Sequence, residues 1–188
     1  MVTPAPKDLK KSCMGIFGAT PAPVAMVTLH VEGRPWGVTV SSVIPITMDP
    51  PKILVSLFGD SIAARQILQN GVFGVSLLTT GHQFVARAQA RPKMPKFLDG
   101  DPHQDDLIQG PVAHRATRAL VDRPPRISRA AHLDCEVVSN WVVDDHVLLV
   151  GQVTDVHEPE TGAERLLYVT GRFAQALLLG AEPPIQNV

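Results

Sequence analysis

The chain first offers chemistry at Thr39-Val40-Ser41-Ser42. Side chains alternate along an extended strand, so Thr39 and Ser41 share one face and Val38 and Val40 the other. Such a row of hydroxyls is either a solvent face or one wall of a polar pocket. Beyond Asp49-Pro50-Pro51 and an apolar run, Asp60-Ser61 has the composition of a helix N-cap. The unbonded amides and positive dipole end of a helix start favour an anion such as phosphate. Spacing alone leaves two readings open for these segments: an anion pocket, or ordinary caps and turns. His146 follows Asp144-Asp145, a pair suited to a hairpin tip, and loops on a rigid scaffold carry function disproportionately. Asp99 to Asp106 (DGDPHQDD), with His114, supplies hard-metal ligands. No acidic residue closes a calcium loop there, so a solvated acidic loop is expected and no metal site.

Other signatures are absent. There is no Gly-x-Gly-x-x-Gly, no P-loop, no Gly-x-Ser-x-Gly elbow and no His-Glu-x-x-His. A Ser/His/Asp set could be assembled from many positions, but no local signature selects one. Cys13 and Cys135 fit neither a disulfide framework nor a metal spacing and are expected as buried thiols. With 17 basic against 18 acidic residues and a net charge of -1, the chain has no electrostatic footprint for nucleic acid or an anionic membrane. No run approaches the ~18 apolar residues of a membrane helix, and residues 1–11 lack the apolar centre of a signal peptide. A cytoplasmic protein is expected. The 45% hydrophobic content excludes a disordered tail, and the 19% charged content is low, as in a largely buried chain or an oligomer. A chain of 188 residues is one domain with a sizeable core.

The elements that must position these residues are mostly strands. Leu9, Cys13, Ile16 and Phe17 recur at helical spacing, and Gly18, Pro21 and Pro23 stop that helix. Residues 24–31 and 36–42 read as strands around a Glu32-Gly33-Arg34 turn. Residues 44–48 form a further extended piece, and 53–58 (ILVSLF) resemble a strand buried on both faces. A helix over about 61–69 closes at Gly71, a strand covers 72–78, and Thr80 to Gln83 has capping-box spacing for a helix ending before Pro92. Residues 91–126 are proline-rich and read as an excursion from the single domain 1–188. Strands follow at 127–143, 146–157 and 166–173; on the last, Tyr168 and Arg172 share a face. Strands with single inserted helices argue for a mainly β antiparallel barrel, not a doubly wound sheet.

In order along the chain, Pro21 to Thr28 (PAPVAMVT), Gly37 to Ser42 (GVTVSS), Asp49 to Ser56 (DPPKILVS), Ser61 to Val75, Gln83 to Arg87, Leu133 to Cys135, Asp144 to Val153 (DDHVLLVGQV) and Leu166 to Phe173 (LLYVTGRF) form a recognisable series. The sequence resembles the short-chain flavin reductases, whose fold is the FMN-binding split β-barrel and which serve as reductase components of two-component flavin monooxygenases. It departs from the pattern at Asp144, where glycine is usual, at Val75 to Leu78, where Asn-Val-Leu is usual, and at Gln89, where an aromatic is usual.

The resemblance implies that Thr39, Val40, Ser41 and Ser42 line the flavin, that Pro51 sits near its ring, and that Asp60 and Ser61 lie by the ribityl-phosphate. It implies that Arg87 neutralises that phosphate and that His146 binds at the nicotinamide, with Tyr168 and Arg172 bordering the entrance. FMN, or FAD, is the implied cofactor, NADH or NADPH the hydride donor, a monooxygenase component the partner, and a homodimer the assembly. The implied reaction passes hydride from nicotinamide to flavin and requires no acid–base residue. Two alternatives share the barrel: an FMN-binding electron carrier or sensor without turnover, and a relative of the pyridoxamine-phosphate oxidases. The latter needs a second basic phosphate pocket, for which only Arg126 and Arg129 are at hand.

Overall fold

The computed structural model describes residues 8–99, 108–109, 123–158 and 164–176. The Asp8 carboxylate accepts a hydrogen bond from the Lys11 amide and starts helix α1 (Leu9–Ala19). The periodic apolar stripe is present, but no residue of α1 is buried. Cys13 is exposed with it, contrary to the expectation of two buried thiols; Cys135 alone is in the core. α1 is tethered where the Thr170 amide donates to the Gly18 carbonyl.

Strands β1 (Ala22–Pro23), β2 (Ala25–Val31) and β3 (Arg34–Val40) follow, the last two joined through Glu32 and Gly33, both at positive φ. Ser41-Ser42 leads to β4 (Val43–Met48) and β5 (Pro51–Phe58). Helix α2 (Ile62–Asn70) is capped by Ser61, whose Oγ accepts from the Ala64 amide, and it ends at Gly71 in the left-handed region at φ 76°. After β6 (Val72–Leu77), a single 3₁₀ turn over Thr80–His82 opens α3 (Gln83–Ala90). The capping box is one residue earlier than the sequence spacing suggested. His82 Nδ1, not a Gln83 side chain, reaches back to accept from the Thr79 amide at 3.0 Å.

Short strands β7 (Ile108–Gln109) and β8 (Arg126–Ile127) pair with each other. Then come β9 (Ala131–Val143) and β10 (His146–His157), followed by β11 (Leu166–Val169) and β12 (Arg172–Gln175). Two expected strands are therefore each broken in two. Arg129 at φ 60° separates β8 from β9, and Thr170-Gly171, both at positive φ, turns 166–173 into a hairpin. Tyr168 and Arg172 thus sit on opposite arms and do not share a strand face: Tyr168 pairs with Phe173, and Arg172 with Val169.

The main sheet runs β3-β2-β6-β9-β10-β5-β4, antiparallel throughout. Its two edge strands, β3 and β4, are consecutive in the chain, so Ser41-Ser42 carries the chain from one edge to the other. The Ser42 hydroxyl donates to the Ser56 carbonyl at 2.8 Å, and the Ser56 amide donates to the Ser42 carbonyl, tying this link to β5. No ladder joins the two edges among the described residues; the sheet is a split barrel, as expected. Its inner face buries Val27, Leu29, Val55, Phe73, Val75 and Leu149 against Ala63, Ala64 and Ile67 of α2. Truncating a side chain as buried as Phe73 costs about 3–5 kcal/mol. The opposite face of β2 carries a second cluster, in which Met26 packs with Val85 and Ala86 of α3, Leu98 and Ile127.

β5 is not buried on both faces as its composition suggested. Ile53, Val55 and Leu57 point into the core, whereas Phe58 is 63% exposed. Cross-strand register places Phe58, His146 and Val143 in one row of the outer face, and Ser56, Leu148 and Trp141 in the next. The start of the proline-rich stretch is no excursion. The Gly37 amide donates to the Lys96 carbonyl and the Leu98 amide to the Pro35 carbonyl, so 95–98 lies along the β3 edge. Lys96 Nζ bonds the Gln89 and Arg91 carbonyls, and Arg34 grips Asp99 bidentately. His114 and residues 101–106 of the acidic loop lie outside the described residues.

Candidate functional site

Thr39, Val40 and Ser41 wall a cavity of about 230 Å³ together with Val24, Ala90, Tyr168 and Phe173. Three elements meet there: the end of β3, the C-terminus of α3 and the β11–β12 hairpin. The Thr39 hydroxyl is already bound to the Ala86 carbonyl at 2.9 Å, which docks α3 on β3. Ser42 holds Ser56, as above. Ser41 is exposed and its hydroxyl makes no hydrogen bond among the described residues, so of the three it alone is free to meet a ligand. Tyr168 and Phe173 meet edge to face, centroids 5.8 Å apart, and the Arg87 guanidinium lies 5.4 Å from the Phe173 ring centre. Cation, aromatic wall and hydroxyl thus border one slot.

The structure does not bring Asp60 and Ser61 into that slot, which corrects the expectation of a single pocket. They line a larger cavity of about 620 Å³ with Trp36, Val38, Lys93 and Phe97. The reason is the alternation of β3: Val38 and Thr39 point to opposite sides, each toward a different cavity. Pro51 is exposed at the start of β5, Arg172 is exposed at the start of β12, and neither lines either cavity.

His146 begins β10 beyond the Asp144-Asp145 turn. Its Nδ1 lies 2.7 Å from Asp145 Oδ1, and its ring lies against Phe58 with centroids 4.4 Å apart at 39°. The hydrogen bond holds the Asp145 carboxyl below its usual range. The Gly59 amide donates to the Asp145 carbonyl at 2.9 Å, which fastens the turn to the end of β5.

Against known proteins, residues 17–177 match the family model described as flavin reductase like domain. The chain belongs to the flavin reductase family. It is 34% identical over 155 residues to an actinorhodin polyketide dimerase of Streptomyces coelicolor, covering 82% of this chain and 79% of that one. It is 27% identical to an NADH-dependent FAD reductase of Streptomyces globisporus, covering 89% and 86% respectively. Among solved structures, the styrene monooxygenase flavin reductase of Pseudomonas putida superimposes with a TM-score of 0.72 at 25% identity, covering 89% of this chain and 99% of that one.

This flavin reductase family member also contains a polar cluster that no motif announced. At the far end of the β9–β10 ladder, the Ile127 amide donates to Ser76 Oγ and Ser76 Oγ lies 2.6 Å from His132 Nδ1. His132 Nε2 meets Asp134 Oδ1 at 2.9 Å, and Asp134 Oδ2 accepts from Arg126 at 2.7 Å. The order Ser–His–Asp is that of a hydrolytic triad, but Ser76 is 0% and His132 1% exposed, so no substrate reaches them. Burial lowers the His132 pKa despite Asp134, which fits a neutral ring with both nitrogens in use.

Arg126 and Arg129 do line one cavity, with His132, His157 and Glu158. Arg126, however, is bound to Asp134 and lies 3.6 Å from Asp155, so it is neutralised internally and makes a poor phosphate site. Asp134, Asp155 and His157 also bring ligand atoms within 4.8 Å of one another. Arg126 donates to both Asp134 and His157 Nδ1, so a guanidinium already serves as their cation. Sequence reasoning missed Phe58 as a site neighbour. Its signal was available: it is the last residue of an alternating strand, on the face opposite Leu57.

Proposed function

We propose that this protein is an NADH-dependent flavin reductase that transfers hydride to FMN or FAD bound at the slot of Thr39, Val40, Ser41, Tyr168 and Phe173. The carrying observation is that slot: an aromatic and apolar wall for a planar ring, an unengaged Ser41 hydroxyl, and the Arg87 cation at its margin for a phosphate. Flavin held there would supply the redox chemistry, as acceptor of the hydride that NADH donates. The chain's own residues bind and orient. Tyr168 and Phe173 exclude water from one side, Arg87 offsets the phosphate charge, and His146 takes the nicotinamide end of the donor. Asp60 and Ser61 line the larger cavity and not the slot.

The reading extends to assembly and context. On the outer face, outside the Phe58–His146–Val143 row, β4 and β9 present Ile44 and Trp141, each more than half exposed, and we assign that part of the face to a homodimer contact. The donor is NADH, the one named for the Streptomyces globisporus relative. The protein acts in the cytoplasm, and reduced flavin passes to an oxygen-activating partner of the monooxygenase kind. Among the described residues no helix is long and apolar enough to cross a membrane. The test is direct. Purified protein is titrated with FMN and FAD by fluorescence quenching, and NADH oxidation is followed with and without added flavin. Flavin-dependent NADH consumption is expected; flavin binding without turnover would leave only a carrier or sensor. Light scattering should report twice the chain mass.

A further inference from the structure

We propose that Phe58 and Asp145 are positioning residues for His146, holding its imidazole so that Nε2 is presented as a hydrogen-bond acceptor to the carboxamide N–H of a dihydronicotinamide. The inference rests on the reading that His146 belongs to the nicotinamide end of the site.

Three observations carry it. First, β5 alternates Ile53, Val55 and Leu57 inward, which leaves Phe58 on the outer face directly opposite His146 in the ladder. At 63% exposure this ring contributes little to the core, yet its centroid lies 4.4 Å from that of His146. Second, Asp145 accepts at Nδ1 at 2.7 Å, and that bond keeps its carboxyl ionised. An ionised carboxylate only accepts, so Nδ1 carries the hydrogen, and in that tautomer the lone pair is at Nε2. Nε2 makes no hydrogen bond among the described residues. Third, the backbone binds the two positioning residues to one frame: the Gly59 amide donates to the Asp145 carbonyl at 2.9 Å and the Ser61 amide to the Phe58 carbonyl at 3.0 Å. An acceptor at Nε2 matches an amide N–H and is mismatched to a phosphate oxygen, so the carboxamide, not the pyrophosphate, is the group recognised.

The experiment compares steady-state KM for NADH and for reduced 3-acetylpyridine adenine dinucleotide, in which a methyl ketone replaces the amide N–H donors. The wild type should prefer NADH, and His146→Ala should lose the preference. Phe58→Ala and Asp145→Ala should raise the NADH KM about three- to tenfold, the worth of one ordinary hydrogen bond, with kcat and flavin Kd unchanged. Phe58→Trp and Asp145→Asn, which keep the plate and the acceptor, should restore it. Nitrogen-15 NMR should show the Nδ1–H tautomer of His146 in the wild type and its partial loss in Asp145→Ala. Light scattering on each variant checks that the assembly is intact, and Asp145→Ala decides if Phe58→Ala alters it. If His146→Ala weakens NADH while Phe58→Ala and Asp145→Ala match the wild type, the positioning role is overturned and the site reading stands. If His146→Ala leaves KM and analogue preference unchanged, both fall.

Discussion

The β9–β10 hairpin carries an Asp–His hydrogen bond at each end, and the two pairs are alike only in chemistry. At the base, His132 and Asp134 meet at 2.9 Å with side chains 1% and 10% exposed. At the tip, His146 and Asp145 meet at 2.7 Å with side chains 38% and 76% exposed. Both nitrogens of His132 are engaged, by Ser76 and Asp134, and the second carboxylate oxygen of Asp134 is taken by Arg126. His146 keeps one nitrogen free. A buried polar group must be fully partnered or it costs stability, so the base has no capacity left for a ligand. Water can complete the exposed pair, and so can a substrate. Burial, not residue type, separates a structural Asp–His pair from one able to act on a ligand.

Removing the carboxylate at each end should separate the two pairs most. Asp134→Ala leaves Arg126 and His132 buried or half-buried without their acceptor, a loss of about 3 kcal/mol. Asp145→Ala should leave the unfolding curve unchanged, because water replaces the lost bond. Urea denaturation of the two variants checks both statements. Equal losses, in either direction, would mean that the tip is as structural as the base. Next in size is Gly74→Ala. Thr28, Gly74 and Asp134 are cross-strand neighbours, and the missing side chain of Gly74 makes room for the His132 ring. A methyl group there would overlap Thr28 Oγ1 and His132 Cε1. Overpacking of this kind costs about 2 kcal/mol, read as a shift in denaturation midpoint without a change in flavin affinity.

The two ends also differed in how legible they were. The tip could be read from sequence because a hairpin turn is local: Asp144-Asp145 between alternating strands, followed by histidine, is visible within a few residues. The main sheet's strands and α2 with its Ser61 cap and Gly71 stop were legible for the same reason. The base was not, since Ser76, Arg126, His132 and Asp134 converge only through pairing of β6, β8 and β9. The split of 166–173 into two arms was missed because Thr170 takes a positive φ that its residue type does not advertise. The separation of Asp60 and Ser61 from Thr39 and Ser41 depends on which way β3 faces in the folded sheet, and no spacing rule supplies that. Thr39 in the slot and Ser42 beyond its margin were read as ligand-facing hydroxyls, yet the fold engages them in docking α3 and tying the strand link.

Acid acts on the buried base and its neighbours. Burial lowers the pKa of His132, and likewise those of His30 and His82, below the ordinary value. Below about pH 6.5 the unfolded chain therefore binds protons that the folded chain refuses, and stability falls as pH falls. Asp134 adds to the loss at lower pH. Burial alone would raise its pKa, but the bonds from His132 and Arg126 prevail and hold it below the usual carboxylate range. Its contribution is present above the unfolded value of about 4 and disappears as pH drops toward the folded one. Melting temperature measured from neutral to mildly acidic pH should decline, and His132→Gln should flatten the decline. A flat profile in the wild type would mean that these histidines titrate freely.

The smallest expected effect lies at the tip, where this chain departs from its family. Asp144 occupies the position at which glycine is usual, and the structure shows why glycine suits it: the residue sits at φ 51°, in the left-handed region. Aspartate tolerates that region better than most side chains but is still strained relative to glycine. Asp144→Gly relieves that strain at the cost of a more flexible unfolded chain, so stability should change by only a few tenths of a kcal/mol. The functional effect is more telling. The Gly59 amide and the Asp145 side chain hold the turn and His146 independently of the side chain at 144, so the NADH KM should stay within about twofold of the wild type. A large rise in KM would show that the Asp144 carboxylate itself touches the donor.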